Sequence, residues 1–306
     1  MSKGCLPAVS TLAGVLALAA LGCSTADQPE PKPAPVTQPA TRPARVKVAA
    51  IQFMSEFGRP AENRKRLEPY VREAARHGAK IIVLPETCIP GYMTYDLQTT
   101  WQLPGRIISP GLKGVPPACA ETVPGESTLE FARLAAELKV YLTVPLIEVD
   151  PNTNRYFNTI VLMGPDGRQL LHYRKKNPWP YAERGWAAPG DLGNPCVDTP
   201  FGRLSLLVCF DIHFEPQRLK ELKVDTLLYC IAWVDLPDSR WFYDGLPAIA
   251  RDNRLNIIGA NWTVPHRPDD WHGYGHTLIL DRTGRALARA NQDVGEEIVY
   301  AELAVP

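Results

Sequence analysis

The 306-residue sequence has no excess of charge of either sign and no run of basic residues. Its 33 Lys and Arg side chains balance 33 Asp and Glu side chains. Because nucleic-acid-binding proteins usually carry an excess of Lys and Arg, we expect no nucleic acid among the partners. The hydrophobic fraction of 45% and the charged fraction of 22% are typical of a chain that buries a core and excludes a largely disordered protein.

The sequence also lacks the spacing of a metal site. No two of its histidines lie on a predicted helix at metal-ligand spacing, and no close pair of cysteines accompanies them. The six histidines are His77, His172, His213, His266, His272 and His276. A zinc site needs several such ligands in a compact arrangement, so we expect no metal and no other cofactor.

The first residues have the composition of a targeting segment. Lys3 precedes an apolar stretch from Leu6 to Leu21, which is short for a membrane span, and Gly22 and Cys23 follow it. A small residue directly before a cysteine resembles the lipobox of bacterial lipoproteins. The resemblance implies a signal peptide over residues 1–22 and a lipidated Cys23. An ordinary signal peptide and an uncleaved anchor are the alternatives.

Residues 23–45 are rich in Pro, Ala, Thr and Gln. This composition favours an extended, disordered tether because it provides neither a helix nor apolar groups for a core. With a lipid on Cys23, the tether would hold an exported protein on the outer side of a bacterial membrane, at the periplasmic or extracellular face. The folded domain is expected over residues 46–306.

The body alternates strands and helices, and the same order occurs twice. A β-α-β unit precedes a meander of hairpins, and a second β-α series precedes a second meander. The predicted strands and helices are a strand Val46 to Phe53, a helix Pro60 to His77, a strand Ala79 to Leu84, a helix Ser127 to Lys139, strands Val140 to Val149, Tyr156 to Met163, Gln169 to Tyr173 and Arg203 to Val208, a helix Pro216 to Leu222, a strand Asp225 to Trp233, a helix Arg240 to Arg254, and strands Leu255 to Ala260, Tyr274 to Leu280, Arg285 to Arg289 and Glu297 to Leu303. This order predicts an α/β fold with helices covering the sheets.

Three predicted strands end in chemically reactive side chains. Glu86, Lys175 and Cys209 each follow an apolar run. Taken singly, the thiol is more typical of an inert buried residue, and the two charged groups are typical of a cap, an ion pair or a solvated strand end. Together, a carboxylate, an ammonium and a thiol are sufficient for acyl transfer.

The segments around these residues resemble a known enzyme superfamily. Leu84-Pro85-Glu86, Tyr173-Arg174-Lys175 and Val208-Cys209-Phe210-Asp211, in this order, resemble the Glu-Lys-Cys triad of the nitrilase (carbon-nitrogen hydrolase) superfamily. Pro189-Gly190-Asp191 and Ala232-Trp233 match further family segments. The resemblance implies a four-layer α-β-β-α sandwich of the nitrilase type. Within the superfamily, the segment 198–202 and Asn177 resemble the biotinidase and vanin branch.

The resemblance also implies a role for each residue. Glu86 would be the general base and acid, Lys175 would stabilise the oxyanion, and Cys209 would be the nucleophile; Lys176 is the alternative to Lys175. Glu183 matches a second family carboxylate that positions the lysine and the substrate, unless it is an ordinary loop residue. Tyr92, Phe210 and Trp233 are the candidate substrate-binding residues.

The expected function is that of an exported amidase. It would hydrolyse a small-molecule amide at a non-peptide C–N bond through a Cys thioester. The alternatives are a non-catalytic lipoprotein that binds an amide ligand, an N-acyltransferase using the same thioester, and a nitrile hydrolase. The resemblance further implies a possible homodimer. In an oxidising compartment, two disulfides are possible among Cys88, Cys119, Cys196 and Cys230, which would leave Cys209 free.

Overall fold

The computed structural model describes residues 43–56, 58–92, 119–180, 183, 185–233, 240–263, 275–291 and 295–306. The signal peptide, Cys23 and nearly all of the tether lie outside the described residues. The body forms one compact unit over Thr41–Pro306. Among the described residues, none of the helices has the length and apolar character needed to cross a bilayer.

The described strands form two sheets of six strands each. In chain order they are β1 (Arg45–Gln52), β2 (Ile81–Val83), β3 (Tyr141–Asp150), β4 (Arg155–Met163), β5 (Gln169–Arg174), β6 (Cys196–Thr199), β7 (Gly202–Val208), β8 (Thr226–Cys230), β9 (Asn256–Ala260), β10 (Leu278–Leu280), β11 (Ala286–Arg289) and β12 (Glu297–Ala304). The first sheet has the order β12-β1-β2-β3-β4-β5, and the second has the order β11-β10-β9-β8-β7-β6. In each sheet the central pairs are parallel and the flanking pairs antiparallel.

Four helices in the described part of the chain flank the sheets. They are α1 (Pro60–Arg76), α2 (Glu126–Leu138), α3 (Pro216–Glu221) and α4 (Leu246–Asn253). Helix α1 starts at a proline. Proline fits the first helical turn because the N–H groups of that turn have no acceptor within the helix. Its apolar residues Leu67, Val71 and Ala74 recur at helical spacing and are buried against the first sheet.

The alternation of side chains along β1 explains the layers. Val48 and Ala50 join a cluster shared with strands of the second sheet, whereas Ala49 and Ile51 join a cluster shared with α1 and α2. Successive strand residues point to opposite faces, so an apolar run buried on both sides must lie between a sheet and a helical layer. The predicted four-layer α-β-β-α sandwich is confirmed.

Two local expectations differ from the structure. The helix expected over Arg240 to Arg254 is divided into a wide π-type turn, Trp241–Gly245, and α4. Pro247 lies in the first turn of α4 and has no N–H for the ladder of a continuous helix. Strand β6 was not predicted, because its four residues carry no clear alternation.

Candidate active site

The carboxyl ends of strands from both sheets meet at one place. Glu86 follows β2, Lys175 follows β5, and Cys209 follows β7. The backbone N–H of Glu86 donates to the carbonyl of Ile231, just beyond β8, at 3.2 Å. This bond connects the two sheets beside the three side chains. Strand ends are where a buried sheet opens to a cleft, so the fold itself brings the three predicted residues together.

Lys175 lies between two carboxylates and is fully buried with them. Its Nζ is 2.7 Å from Glu86 Oε1 and 2.7 Å from Glu183 Oε1. Glu183 is therefore a buried neighbour of the lysine and is not an ordinary loop residue. One ammonium shared by two carboxylates leaves an excess of negative charge in a site from which water is excluded.

Two further side chains hold the carboxylates in place. The amide Nδ2 of Asn158, in β4, donates to Glu86 Oε1 at 2.7 Å and to Glu183 Oε1 at 3.0 Å. The hydroxyl of Tyr92 donates to Glu183 Oε1 at 3.0 Å. Sequence reasoning missed Asn158, although a buried amide in the otherwise apolar run of β4 was a usable indication.

One carboxylate oxygen of the site has no hydrogen-bond partner among the described residues. Glu86 Oε2 is buried and unpaired, while Glu86 Oε1 accepts from both Lys175 and Asn158. An unsatisfied carboxylate oxygen is costly in the ground state. It is also the atom of the site best prepared to accept a proton.

Cys209 occupies a strained turn. It begins the 3₁₀ turn Cys209–His213 directly after β7 and has a φ of 39°. A positive φ is uncommon for a residue with a side chain and costs on the order of 1–3 kcal/mol. The hydroxyl of Tyr229 donates to the Cys209 carbonyl at 2.8 Å and holds the turn. The thiol thus leaves the sheet at an angle that an extended strand cannot give.

Asp211 ties the cysteine turn to the lysine segment. Its buried carboxylate accepts from the Tyr173 hydroxyl at 2.7 Å, from the Asn177 backbone N–H at 2.8 Å and from Asn177 Nδ2 at 2.9 Å. These contacts lie on both sides of Lys175. Cys209 lies two residues before Asp211 in the chain. Asp211 therefore fixes the position of Lys175 relative to the Cys209 thiol.

The matched segment around Gly190 also has a geometric role. Its N–H donates to the Lys175 carbonyl at 2.8 Å, and a Cβ at this position would lie 2.0 Å from the Arg174 carbonyl oxygen. Only glycine allows so close an approach. The neighbouring lysine takes a different path, because Lys176 Nζ pairs with Glu215 at 2.8 Å. The geometry favours Lys175 over Lys176 as the residue of the site.

The electrostatics of the site favour the protonated forms of Glu86 and Cys209 and the charged form of Lys175. Burial raises the pKa of Glu86, and the nearby Lys175 only partly offsets it. Burial and the charge of Glu86 raise the pKa of the Cys209 thiol well above its usual range. Burial opposes a charge on Lys175, but Glu183 and Glu86 raise the pKa of its ammonium. The resting site therefore holds a thiol and a charged lysine, and the thiol needs a base at the moment of attack.

A cavity of about 270 Å³ opens above the thiol. It is lined by Trp179, Cys209, Phe210, His213, Ala232 and Trp233. Two of the three predicted substrate-binding residues, Phe210 and Trp233, lie in this lining. Tyr92 instead uses its hydroxyl to hold Glu183.

The five described cysteines are all free thiols. They are Cys88, Cys119, Cys196, Cys209 and Cys230. The disulfides considered possible from the cysteine count are absent from the described part of the chain. Cys88 and Cys230 are buried inside the protein, where burial is the main cause that raises the pKa of each thiol.

Comparisons with known proteins agree with this architecture. The chain is 29% identical to human omega-amidase NIT2 over 255 residues, which cover 79% of this chain and 83% of that protein. It is 28% identical to a citrullinase from Francisella tularensis over 271 residues, which cover 84% and 88% of the two chains. The crystal structure of an amidase from Nesterenkonia sp. superposes with a TM-score of 0.67 at 18% identity, over 88% of this chain and 93% of that one.

The omega-amidase and the citrullinase lend no support to the expected biotinidase and vanin branch. The family of the chain is given by a separate comparison with protein-family models. The family model described as carbon-nitrogen hydrolase matches residues 47–306, which is nearly the whole described body. With a thiol, a carboxylate pair and a lysine joined at its strand ends, this chain belongs to the carbon-nitrogen hydrolase family and is a hydrolase of C–N bonds other than peptide bonds.

Proposed function

We propose that the protein is an amidase that hydrolyses the carboxamide of a small molecule through a thioester on Cys209. The observation that carries this proposal is the buried contact of Lys175 with Glu86 and Glu183 beside the strained cysteine turn. The names of the relatives, an omega-amidase and a citrullinase, support an amide as the substrate class.

The first step is the attack of the thiol on the amide carbonyl carbon. Cys209 is a thiol at rest, so its proton must leave as the S–C bond forms. In its ionised form, Glu86 accepts this proton at the unpaired Oε2, and its raised pKa makes this carboxylate a stronger base than an exposed one. A hydrogen bond from the backbone N–H of Ala232 favours the developing charge on sulfur.

The second step removes the amine. Two N–H groups of Lys175 are used by Glu86 and Glu183, and the third serves the oxyanion of the tetrahedral intermediate together with the backbone N–H of Phe210. One such donor typically contributes about 3 kcal/mol. Protonated Glu86 then donates its proton to the leaving nitrogen, and the intermediate collapses to the thioester.

The third step hydrolyses the thioester. Glu86, ionised again, takes a proton from water, and the hydroxide adds to the acyl carbon. The carboxylic acid leaves, and the proton returns to the sulfur of Cys209. One carboxylate thus serves both half-reactions, which requires a base whose pKa lies nearer neutrality than that of an exposed glutamate.

The test measures the release of ammonia from a panel of small amides by the purified folded domain, residues 46–306. Cys209→Ala should lose all measurable release, while Cys196→Ala should retain it, because Cys196 is half-buried in β6 and outside the cavity. Equal activity of the two variants would contradict the proposal. Ligand binding without turnover by the intact protein would favour the non-catalytic alternative, and synthesis of an N-substituted amide from an added amine would favour the N-acyltransferase.

We also propose that the enzyme works outside the bacterial cytoplasm on a lipid anchor. The support is the sequence alone: the apolar stretch, the Gly22-Cys23 pair and the proline-rich residues that follow. Expression of the full chain in a bacterium should give a membrane-bound form with a diacylated residue 23 by mass spectrometry. Cys23→Ser should release the protein from the membrane, and a Cys23→Ser protein that stays bound would contradict the anchor.

A further inference from the structure

The described wall of the cavity above Cys209 is built mainly from aromatic rings. Trp179, Phe210, His213 and Trp233 form it, and only Ala232 and the nucleophile interrupt them. Its volume of about 270 Å³ lies just below the range of roughly 300–1,000 Å³ found for drug-sized ligands. The cavity therefore suits one small acyl group in contact with the rings.

Trp233 is held rigidly on both its backbone and its ring. Its N–H donates to Asn261 Oδ1 at 3.0 Å, and Asn261 Nδ2 donates back to the Trp233 carbonyl at 3.3 Å. Its ring stacks on Trp241 with a centroid distance of 4.8 Å and an interplanar angle of 6°. A wall held in this way loses little side-chain entropy when a ligand binds against it.

Trp241 supports the wall from behind and depends on a glycine. A Cβ at position 245 would lie 2.4 Å from Trp241 Cε3, so the indole can lie against the backbone only because residue 245 is glycine. Trp241 is not among the residues that line the cavity. The chain thus provides a second layer whose only described contact with the cavity is through the first layer.

His213 completes the group without adding a charge near neutral pH. The centroid of its ring lies 5.3 Å from that of Trp233, 4.9 Å from that of Trp241 and 5.4 Å from that of Phe210. Burial lowers the pKa of His213, which favours the neutral ring. Among the described lining residues, then, none offers a cation to a substrate carboxylate. Moving an unpaired carboxylate from water to such a wall is costly.

We propose that this aromatic wall selects amides whose acyl group carries an uncharged aromatic ring on a short chain. Aromatic rings pair favourably in offset-stacked and edge-to-face arrangements, and a phenyl group in the cavity has the rings of Trp233 and Phe210 in the lining as partners. This inference rests on the proposed amidase function. The reaction is R–CO–NH₂ plus the Cys209 thiol giving the thioester and NH₃, followed by water giving R–COOH and the thiol.

The test compares kcat/KM for 3-phenylpropionamide, butyramide and succinamic acid, which differ in the group at the far end of the acyl chain. The wild-type protein should prefer the phenyl compound over butyramide by about tenfold or more, and should use the carboxylated compound least. Trp233→Leu should remove most of the phenyl preference. Gly245→Ala should reduce it less, because it displaces only the supporting indole.

Tyr243→Leu is the matched control, since Tyr243 lies on the same turn as Trp241 but is exposed and outside the cavity lining. It should keep the wild-type preference. A wild-type protein that hydrolyses butyramide or succinamic acid as well as the phenyl compound would overturn the inference and leave the amidase function standing.

A second measurement separates failure of the inference from failure of the proposed function. Alkylation of Cys209 by 2-bromoacetophenone and by bromoacetone needs no turnover, and each rate is divided by the rate with glutathione. We expect the corrected rate to be higher with 2-bromoacetophenone than with bromoacetone, a difference called the aryl excess. Trp233→Leu should reduce the aryl excess, and Tyr243→Leu should not. No aryl excess would overturn the aromatic site. Aryl excess with no amide turnover would overturn the amidase function alone, and the site would remain as an aryl-binding one.

Discussion

Arg174 and Lys175 are adjacent in the chain, and each is bound to buried acidic groups, yet the two environments differ. Both oxygens of Glu148 accept hydrogen bonds: Oε1 from Arg174 Nη2 at 2.5 Å, and Oε2 from Thr159 and His172 at 2.8 Å and from Arg174 Nε at 3.1 Å. Glu86, beside Lys175, has one oxygen with no partner among the described residues. The same residue types thus build a satisfied network and an unsatisfied one.

The difference appears in the pKa of each carboxyl group. Burial alone would raise the pKa of Glu148, but hydrogen bonds from His172 and Arg174 lower it to about 2. Burial raises the pKa of Glu86, and its contact with Lys175 does not compensate. A carboxylate surrounded by donors is a fixed charge that supports the fold. A carboxylate short of donors exchanges its proton readily and can do acid–base chemistry.

Replacing the two carboxylates by amides separates the roles most strongly. Glu86→Gln removes the base, so we expect kcat to fall by about 10²–10⁴. We expect no loss of stability, because the variant removes a buried carboxylate that repels Glu183. Kinetics and thermal unfolding of the same preparation measure both effects. A Glu86→Gln protein with near-normal kcat would contradict the assignment.

Glu148→Gln should have the opposite profile. The low pKa of Glu148 corresponds to roughly 3 kcal/mol of folding free energy at neutral pH, which the amide loses in part. Most of kcat should remain, because Glu148 touches none of the three reacting groups. Chemical unfolding gives the free energy, and equal stability of the variant and the wild type would show that the network contributes little.

Asp211→Asn should give a smaller effect on the site alone. The amide keeps the shape but cannot accept from Tyr173 and from both N–H groups of Asn177 at once. A lysine displaced by a fraction of an ångström should lower kcat by about tenfold, with little change in KM. A variant that changed KM alone would indicate that Asp211 acts on substrate binding and not on the position of Lys175.

The dependence on pH sharpens the comparison without any substitution. The pKa of Glu86 is raised, so the fraction with an ionised base grows as the pH rises, and kcat should fall on the acid side well above pH 4.5. The pKa of Glu148 is lowered, so its contribution to stability is full above about 4.5 and is lost as the pH falls toward 2. Activity should therefore decline at a pH where the fold is intact. Coincident loss of activity and structure would refute this separation.

The sequence was informative wherever a local pattern decided the structure. The apolar strands predicted an α/β fold with helices covering the sheets, and the resemblance to the nitrilase superfamily predicted the four layers and a common site for Glu86, Lys175 and Cys209. The side chains that hydrogen-bond to the reactive residues could not be predicted in this way. Asn158, in β4, binds Glu86 although the two residues are 72 positions apart in the sequence. Such a contact depends on the register of β4 against β5, which no local pattern specifies.

The expectation about cysteine reactivity was limited for the same reason. From the sequence, Cys88 and Cys230 were candidates for disulfides, but both are free thiols in the structure. A disulfide depends on the distance and orientation of two cysteines, which the cysteine count does not report. The raised pKa of Cys209 likewise depends on the burial of the thiol and on the charge of Glu86 beside it. Desolvation is a property of the packed structure and has no counterpart in the order of residues.

The central claim is that Cys209 forms the acyl bond and that Glu86 moves its proton. The most direct measurement is rapid quenching of the enzyme with an amide that it hydrolyses, followed by peptide mass spectrometry of every cysteine. We predict an acyl group on Cys209 alone, formed in the wild type within the first turnover and at least about a hundredfold more slowly in Glu86→Gln. Product formation with no acyl group on Cys209, or with one on another residue, would contradict it.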